Sequence, residues 1–347
     1  MNADIAPALE VLMRGDALTK ADVRRAFGPI MRGEAGDAEV AALLTALAVR
    51  GETAAVLAGA AAELRAHATR IEPRATGLLD TCGTGGDRLH TFNISTAAAL
   101  AAAACGVPVA KHGNRSVSSS SGSADVLEAL GVNLDVPPEA VARCVDEVGI
   151  GFLYAKQLHP AMRHVAGVRQ QLGFRTVFNL LGPLINPAGA SFHLLGTGRV
   201  ETARVLADAV AELGVPAGGR TVVVCGNNQI DEVALWGTTS WFSVAGDGSR
   251  DAGTWTAADF GLGEVEVADL RVTNAAESAA VIRGVLSGEP GPAADMVTAN
   301  AAAALWCCGR VDDVAEGVCV AESTLSDGAG TQILDRLRDA TANETSG

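Results

Sequence analysis

The residues of this 347-residue chain best suited to chemistry lie in two loops of small residues and one pair of adjacent carboxylates. The first loop is the stretch DTCGTGGD that opens at Asp80, directly after Leu78 and Leu79, an apolar run that reads as a buried strand. Gly83, Gly85 and Gly86 permit positive φ and let backbone N–H groups come within contact distance of a ligand, which a Cβ would prevent. Ser95 or Thr96 then stands where a helix N-cap belongs, ahead of an alanine-rich run over 97–105 that Gly106 stops. A glycine turn feeding a helix N-terminus suits a phosphate. The second loop repeats the arrangement. Residues 107–110 read as a strand, followed by Lys111-His112-Gly113-Asn114-Arg115, a serine tract, and Ser123 as the N-cap of a helix that carries Val126, Leu127 and Leu130 and ends at Gly131. One glycine cluster reads equally well as a turn. Two of them, each at a strand-to-helix junction, point to a ligand with two anionic ends. Asp231 and Glu232 lie on a further loop after a strand end, where a pair of carboxylates can share a hard divalent cation with phosphate oxygens. The plain alternative is a solvated acidic pair.

The segments that carry these residues are GTGGD, TFNIST, KHGNR with the serine tract and SGSADVLEALG, and HPAMRHVAGVRQQLGFRTVFNLLGPLINP, preceded by MRGEAGDAEVAALLTAL near the amino end. In this order, and over nearly the whole chain, they resemble the anthranilate phosphoribosyltransferase family. GTGGD alone would be weak, whereas five motifs in register are specific.

The resemblance implies an α/β fold in two parts: a small all-helical domain made of residues 1–72 and 161–186, and a large α/β domain made of 73–160 and 187–347 with a mostly parallel central sheet flanked by helices. It implies transfer of the phosphoribosyl group of phosphoribosyl pyrophosphate (PRPP) to the amine of anthranilate, in tryptophan biosynthesis. By the same resemblance the PRPP site comprises Gly83, Gly86, Asp87, Thr91, Asn93, Ile94, Ser95, Thr96, the loop Lys111, His112, Gly113, Asn114, Arg115, Ser116, Val117, Ser118 and Ser119, and Ser123. The anthranilate contacts map to Gly83, Asn114 and Arg169, where a guanidinium fork suits a carboxylate. Ser95, Asp231 and Glu232 map to the magnesium ligands, with two Mg2+ per monomer, and the chain is expected to form a homodimer through its helical domain. The chain departs from the family pattern at Arg88, where glycine often follows GTGGD, at Ser120, where many relatives have a basic residue, and over Cys225-Gly226-Asn227-Asn228-Gln229, which replaces a common His-Gly…Gly.

No general base stands out. An aromatic amine is nucleophilic at neutral pH, so positioning it and neutralising the departing pyrophosphate are the main demands. His112 reads equally as a substrate-positioning residue and as a packed one.

The elements that must hold these residues follow from the pattern. Residues 1–70 read as short helices, with Ile5, Leu9 and Leu12 on one face, a capping box at Thr19 and Asp22, and a stripe of Val40, Leu43, Leu44 and Leu47. From about residue 76, short β-branched or apolar runs alternate with helical stretches, the mark of a parallel sheet with crossover helices. The alternation breaks at Leu158-His159-Pro160, gives way to a helix over 161–172 and a hinge-like passage around Gly182-Pro183 and Asn186-Pro187, and then resumes through strands near 194–196 and 221–225. Residues 343–347 read as a fraying tail.

A formal net charge of −14 argues against a broad basic surface for nucleic acid or anionic membrane. The seven cysteines show no paired metal spacing and read as reduced thiols, with a cytoplasmic location expected. The longest apolar run falls short of the ~20 residues that span a bilayer. Two rival readings remain at this level: a pyrimidine-nucleoside phosphorylase-like enzyme, which would not need Asp231 and Glu232, and a non-catalytic nucleic-acid-binding relative, which the acidic balance disfavours.

Overall fold

The computed structural model describes residues 1–115, 122–342 and 344. The amino-terminal part is helical: α1 (Ala6–Arg14), α2 (Lys20–Arg32), α3 (Asp37–Arg50) and α4 (Ala54–Ala66). Local chemistry sets the ends. Thr19 accepts from the Asp22 N–H while Asp22 reaches back to the Thr19 N–H, and Thr53 caps α4. The predicted stripes, including Ile5, Leu9, Leu12, Val40, Leu43, Leu44 and Leu47, are buried in one apolar cluster.

The chain then builds β1 (Leu79–Asp80), α5 (Ile94–Ala104), β2 (Val109–Gly113), α6 (Ser123–Ala129), α7 (Pro138–Arg143) and β3 (Ile150–Tyr154). It breaks off into α8 (Ala155–Leu158), α9 (Arg163–Leu172) and α10 (Phe178–Leu181). Val165, Val168, Val177, Phe178 and Leu181 of this passage join the cluster of the amino-terminal helices. Back at the sheet come β4 (Phe192–Gly196), α11 (Val200–Leu213), β5 (Arg220–Gly226), β6 (Thr239–Ala245) and β7 (Arg250–Trp255), followed by α12 (Ala275–Leu286), α13 (Pro292–Cys307), α14 (Val314–Ser326) and α15 (Ala329–Ala342).

The seven strands lie in the order β3-β2-β1-β4-β5-β6-β7. β3 to β5 pair in parallel, and β5-β6 and β6-β7 are antiparallel. From β1 the chain winds outward to β2 and β3, then returns to the other side of β1 as β4. Ligands in such sheets bind beyond the carboxyl ends of the strands, where the winding reverses. Here that point is the end of β1, where the first glycine loop begins.

Two helix starts differ from expectation. α5 is capped by Asn93, whose side chain accepts the Thr96 N–H, so Ser95 and Thr96 lie inside the helix. α6 is entered through Gly122, which makes Ser123 its first residue. No helix among the described residues is long and apolar enough to cross a membrane.

Candidate active site

Three strands bring the predicted residues together. The loop after β1 supplies the glycines, the middle of β2 supplies Lys111, and the loop after β5 supplies Asp231 and Glu232. Asp231 Oδ2 accepts the Gly85 N–H at 2.6 Å, and Thr84 N–H donates to Gly196 O at 2.9 Å. The fit leaves no room for side chains at two of the glycines. A Cβ on Gly83 would lie 2.5 Å from Asp231 Oδ2, and one on Gly196 would lie 1.6 Å from Asp231 O. Gly85 and Gly86 have φ of +66° and +81°, so their type is set by backbone shape.

The electrostatics centre on three carboxyls. Asp87 and Asp231 stand close enough to shift each other's protonation, and the Ser95 backbone beside Glu232 favours that carboxyl's charged form. Burial, reinforced by the charge of Asp87, pushes Asp231 up to about 6, and burial plus the charge of Asp231 pushes Glu232 well above the ordinary carboxylate range. Lys111 is the nearby countercharge, 2% exposed, with Nζ at 3.1 Å from Thr81 Oγ1 and 3.4 Å from Ser95 Oγ. Crowded carboxylates that hold protons against their own acidity suit a divalent cation, and carboxylate and hydroxyl oxygens are the ligands Mg2+ prefers. Among the described residues no three His, Cys, Asp or Glu side chains close into a cage around one ion. A cation here would therefore take its remaining ligands from substrate and water, as Mg2+ at phosphate sites does.

The other predicted residues divide by geometry. Ile94 and Thr96 are buried within α5, and the Thr96 N–H is already donated to Asn93. Thr91 pairs with Arg271 in an isolated bridge. Gly113 packs under α6, where a Cβ would meet Ser123 Oγ at 2.2 Å, and Ser123 Oγ donates to Asn114 O at 3.2 Å. The Arg115 side chain is held by neighbours: it donates to Asp125 at 3.0 Å, to both oxygens of Glu128 at 2.6 Å, and to Tyr154 OH at 3.1 Å. Arg169 is half-buried, with its guanidinium 5.3 Å from the centre of the Phe178 ring, and burial lowers its pKa. Ser116, Val117, Ser118, Ser119 and Ser120 lie outside the described residues.

His112 is a packed residue. Its Nδ1 donates to Gly182 O at 3.1 Å, so neutral Nε2 accepts from His159 Nε2 at 3.0 Å, and burial lowers the pKa of both rings. Below it lies a network the motifs do not single out. Buried Asp80 accepts from the Cys82 and His112 N–H groups, each at 3.1 Å, and from Asn186 Nδ2 at 2.7 Å, and Asn186 Nδ2 also reaches Ala110 O at 2.8 Å. In the sequence Asn186 reads only as a breaker before Pro187, but it ties the hinge to β1 and β2. Burial raises the Cys82 thiol, with Asp80 reinforcing it, which leaves the thiol protonated and unreactive.

The departures from the family pattern are also visible. Arg88 sits at φ +64°, in the left-handed region that glycine would occupy without strain. Asn227 and Asn228 take φ of +45° and +51°, a region asparagine tolerates, and the turn closes through reciprocal bonds of 3.0 Å between Gly226 and Ile230.

Residues 6–68 match the helical bundle domain of the glycosyl transferase family, and residues 75–331 match its a/b domain. An anthranilate phosphoribosyltransferase of Symbiobacterium thermophilum is 46% identical over 333 residues, 96% of each chain. The crystal structure of anthranilate phosphoribosyltransferase from Thermus thermophilus superposes with a TM-score of 0.89 at 41% identity, covering 96% of this chain and 99% of that one. The Saccharomyces cerevisiae anthranilate phosphoribosyltransferase in complex with PRPP and Mg superposes equally well, with a TM-score of 0.89 at 28% identity over 99% of both chains. The glycine turn at the switch point, the clustered carboxyls above it and these full-length likenesses agree: the chain belongs to the anthranilate phosphoribosyltransferases of the glycosyl transferase family.

Proposed function

We infer that this chain transfers the phosphoribosyl group of PRPP to the amine of anthranilate, giving N-(5-phosphoribosyl)anthranilate and pyrophosphate. The observation that carries the reading is the trio Asp87, Asp231 and Glu232 held against the Gly83–Gly86 turn, a charge arrangement suited to a metal-bound diphosphate. Mg2+, two ions per monomer, would be held by Ser95, Asp231 and Glu232, and supplies charge neutralisation for the departing pyrophosphate. The backbone N–H groups of the glycine turn and Lys111 orient the phosphates. Arg169, a guanidinium with no carboxylate partner among the described residues, binds the carboxylate of anthranilate with Asn114 and Gly83. Its task is to align the amine with the ribose carbon from which pyrophosphate leaves. The C–N bond forms as the C–O bond to pyrophosphate breaks, and the amine proton passes to solvent, so no side-chain base is required.

The same reading divides the chain into 1–72 with 161–186, and 73–160 with 187–347. It makes the protein a cytoplasmic homodimer, joined through the helical domain, that acts in tryptophan biosynthesis. Loss of anthranilate fluorescence on adding PRPP, measured with and without Mg2+, tests the activity. Metal-dependent loss is expected. No loss under any condition, or phosphorolysis of a pyrimidine nucleoside instead, overturns it.

A further inference from the structure

The site contains a cation that neither the motifs nor the reaction as described above uses. α9 ends at Gly173, which has φ +66°, and the short segment to α10 carries Arg175. The next two residues, Thr176 and Val177, are buried. Thr176 N–H donates to Asn179 Oδ1 at 2.9 Å, and Val177 belongs to the cluster of the amino-terminal helices. The backbone at this point is therefore anchored on the helical side, while the Arg175 side chain is exposed and crosses to the glycine turn. Its Nη1 lies 3.5 Å from Gly86 O and its Nη2 lies 3.5 Å from Gly85 O. A Cβ on Gly86 would come within 2.6 Å of Nη1, so the guanidinium rests directly on the turn.

These contacts are poor ones for an arginine. Both are at the outer limit of a hydrogen bond, and both go to neutral carbonyls. Among the described residues Arg175 has no carboxylate partner, whereas Arg115 has two. Of the other cations close to the turn, Lys111 is buried and committed to Thr81 and Ser95, and Arg88 follows on the same loop two residues beyond Gly86 rather than reaching it from the helical side. A diphosphate held at the turn would bring its charge beside Asp87, Asp231 and Glu232, and a metal alone leaves its outer oxygens without a donor from the helical side. A guanidinium fork presents two parallel donors that fit two phosphate oxygens.

We propose that Arg175 is a diphosphate-binding residue, which leaves the Gly85 and Gly86 carbonyls and closes on the diphosphate of PRPP and on product pyrophosphate. In doing so it links the helical side to the glycine turn when the site fills. This rests on the PRPP reading above. Its role differs from that of Arg169, which serves the aromatic acid, and the two arginines are separated by the end of α9.

The test uses the full-length protein with Mg2+ and two probes. Calorimetry with inorganic pyrophosphate reads the anion site without requiring turnover, and steady-state kinetics read both substrates. Arg175→Ala is expected to weaken pyrophosphate binding and raise the PRPP KM about 10- to 100-fold, the range for a charge-assisted hydrogen bond, with the anthranilate KM changed less than about twofold. Arg175→Lys keeps the charge but not the fork, and is expected to recover only part of the loss. Pyrophosphate affinity of Arg175→Ala within about twofold of the parent overturns the proposal. So does a loss shared equally by both substrates together with a lowered Tm, which assigns Arg175 to structure. If the parent binds pyrophosphate but never consumes anthranilate, the activity reading fails while the Arg175 comparison still decides this one.

Discussion

Replacing Asp231 by Asn should stabilise the metal-free protein at neutral pH. Asp231 is pushed up to about 6, from an ordinary 3.8, by burial and then by the charge of Asp87. The folded state thus holds this proton more tightly than the unfolded chain. Its ionisation costs nothing extra below the ordinary pKa, and the full penalty is present above pH 6, so stability from this group falls as pH rises through that window. About two units at 1.36 kcal/mol each set a ceiling of about 3 kcal/mol, and partial solvation of the site brings the expected gain to about 1–3 kcal/mol. Asn retains an oxygen to accept the Gly85 N–H, so the turn keeps its 2.6 Å anchor. Urea unfolding in the presence of a chelator, run at about pH 7.5 and about pH 4.5 to bracket the titration, measures the difference. Asp231→Asn should be the more stable protein at the higher pH, should lose most of that advantage at the lower, and should lose turnover at both. A variant no more stable than the parent at the higher pH, or equally advantaged at both, would refute the argument that burial and the charge of Asp87 penalise the ionised Asp231 in the metal-free protein.

Arg88→Gly should raise stability by about 0.5–1 kcal/mol: a non-glycine residue in the left-handed region costs about 1–2 kcal/mol, and glycine's greater chain entropy returns about half of that. A lower Tm for this variant would mean that the Arg88 side chain makes a contact worth more than its backbone strain. His159 is pushed down to about 3 by burial and by His112, so the unfolded chain takes up a proton there below pH 6.5 that the folded protein refuses. Its contribution to stability is therefore lost as pH falls, by up to about 1.4 kcal/mol per unit. His159→Gln should flatten the fall in stability between about pH 6.5 and about pH 4.5, and parallel curves for the two proteins would show that the ring does not titrate as its burial demands.

What the sequence discloses and what it hides separate by range. The glycine turn is legible because only glycine tolerates both the positive φ at Gly85 and Gly86 and the 2.5 Å approach of Asp231 to Gly83. The capping residue of α5 is not. Asn93, Ser95 and Thr96 can all cap, and the choice falls to Asn93 because Phe92 N–H is bonded to Leu270 O at 2.8 Å and Asn93 N–H to Ser278 Oγ at 2.9 Å, which keeps the chain extended up to that point. The partners that decide it come from far along the chain. The motif places Arg115 among the phosphate contacts, and only the geometry shows it held by Asp125, Glu128 and Tyr154. The β6–β7 hairpin carries a turn signal in Gly246-Asp247-Gly248, hidden by the expectation of continued strand-helix alternation. Arg175 gives one faint sign, an arginine placed just past a helix-stopping glycine.

The apolar cluster built by α1 to α4 has a further consequence, for the birth of the protein. Those helices do not close it themselves: Val165, Val168 and Phe178 belong to it, and so do Leu195, Leu206, Val223 and Val244. On a ribosome adding about 5–20 residues per second, the first four helices emerge able to pack on one another but with part of their inner faces uncovered, and wait on the order of 5–25 s for α9 to arrive, longer still for β5 and β6. During that interval a nascent-chain chaperone, or the same face of a neighbouring nascent chain on the polysome, has first claim on the surface. The order of translation thus leaves the amino-terminal helices waiting for the partners that close their cluster, although those partners are buried against them in the finished fold.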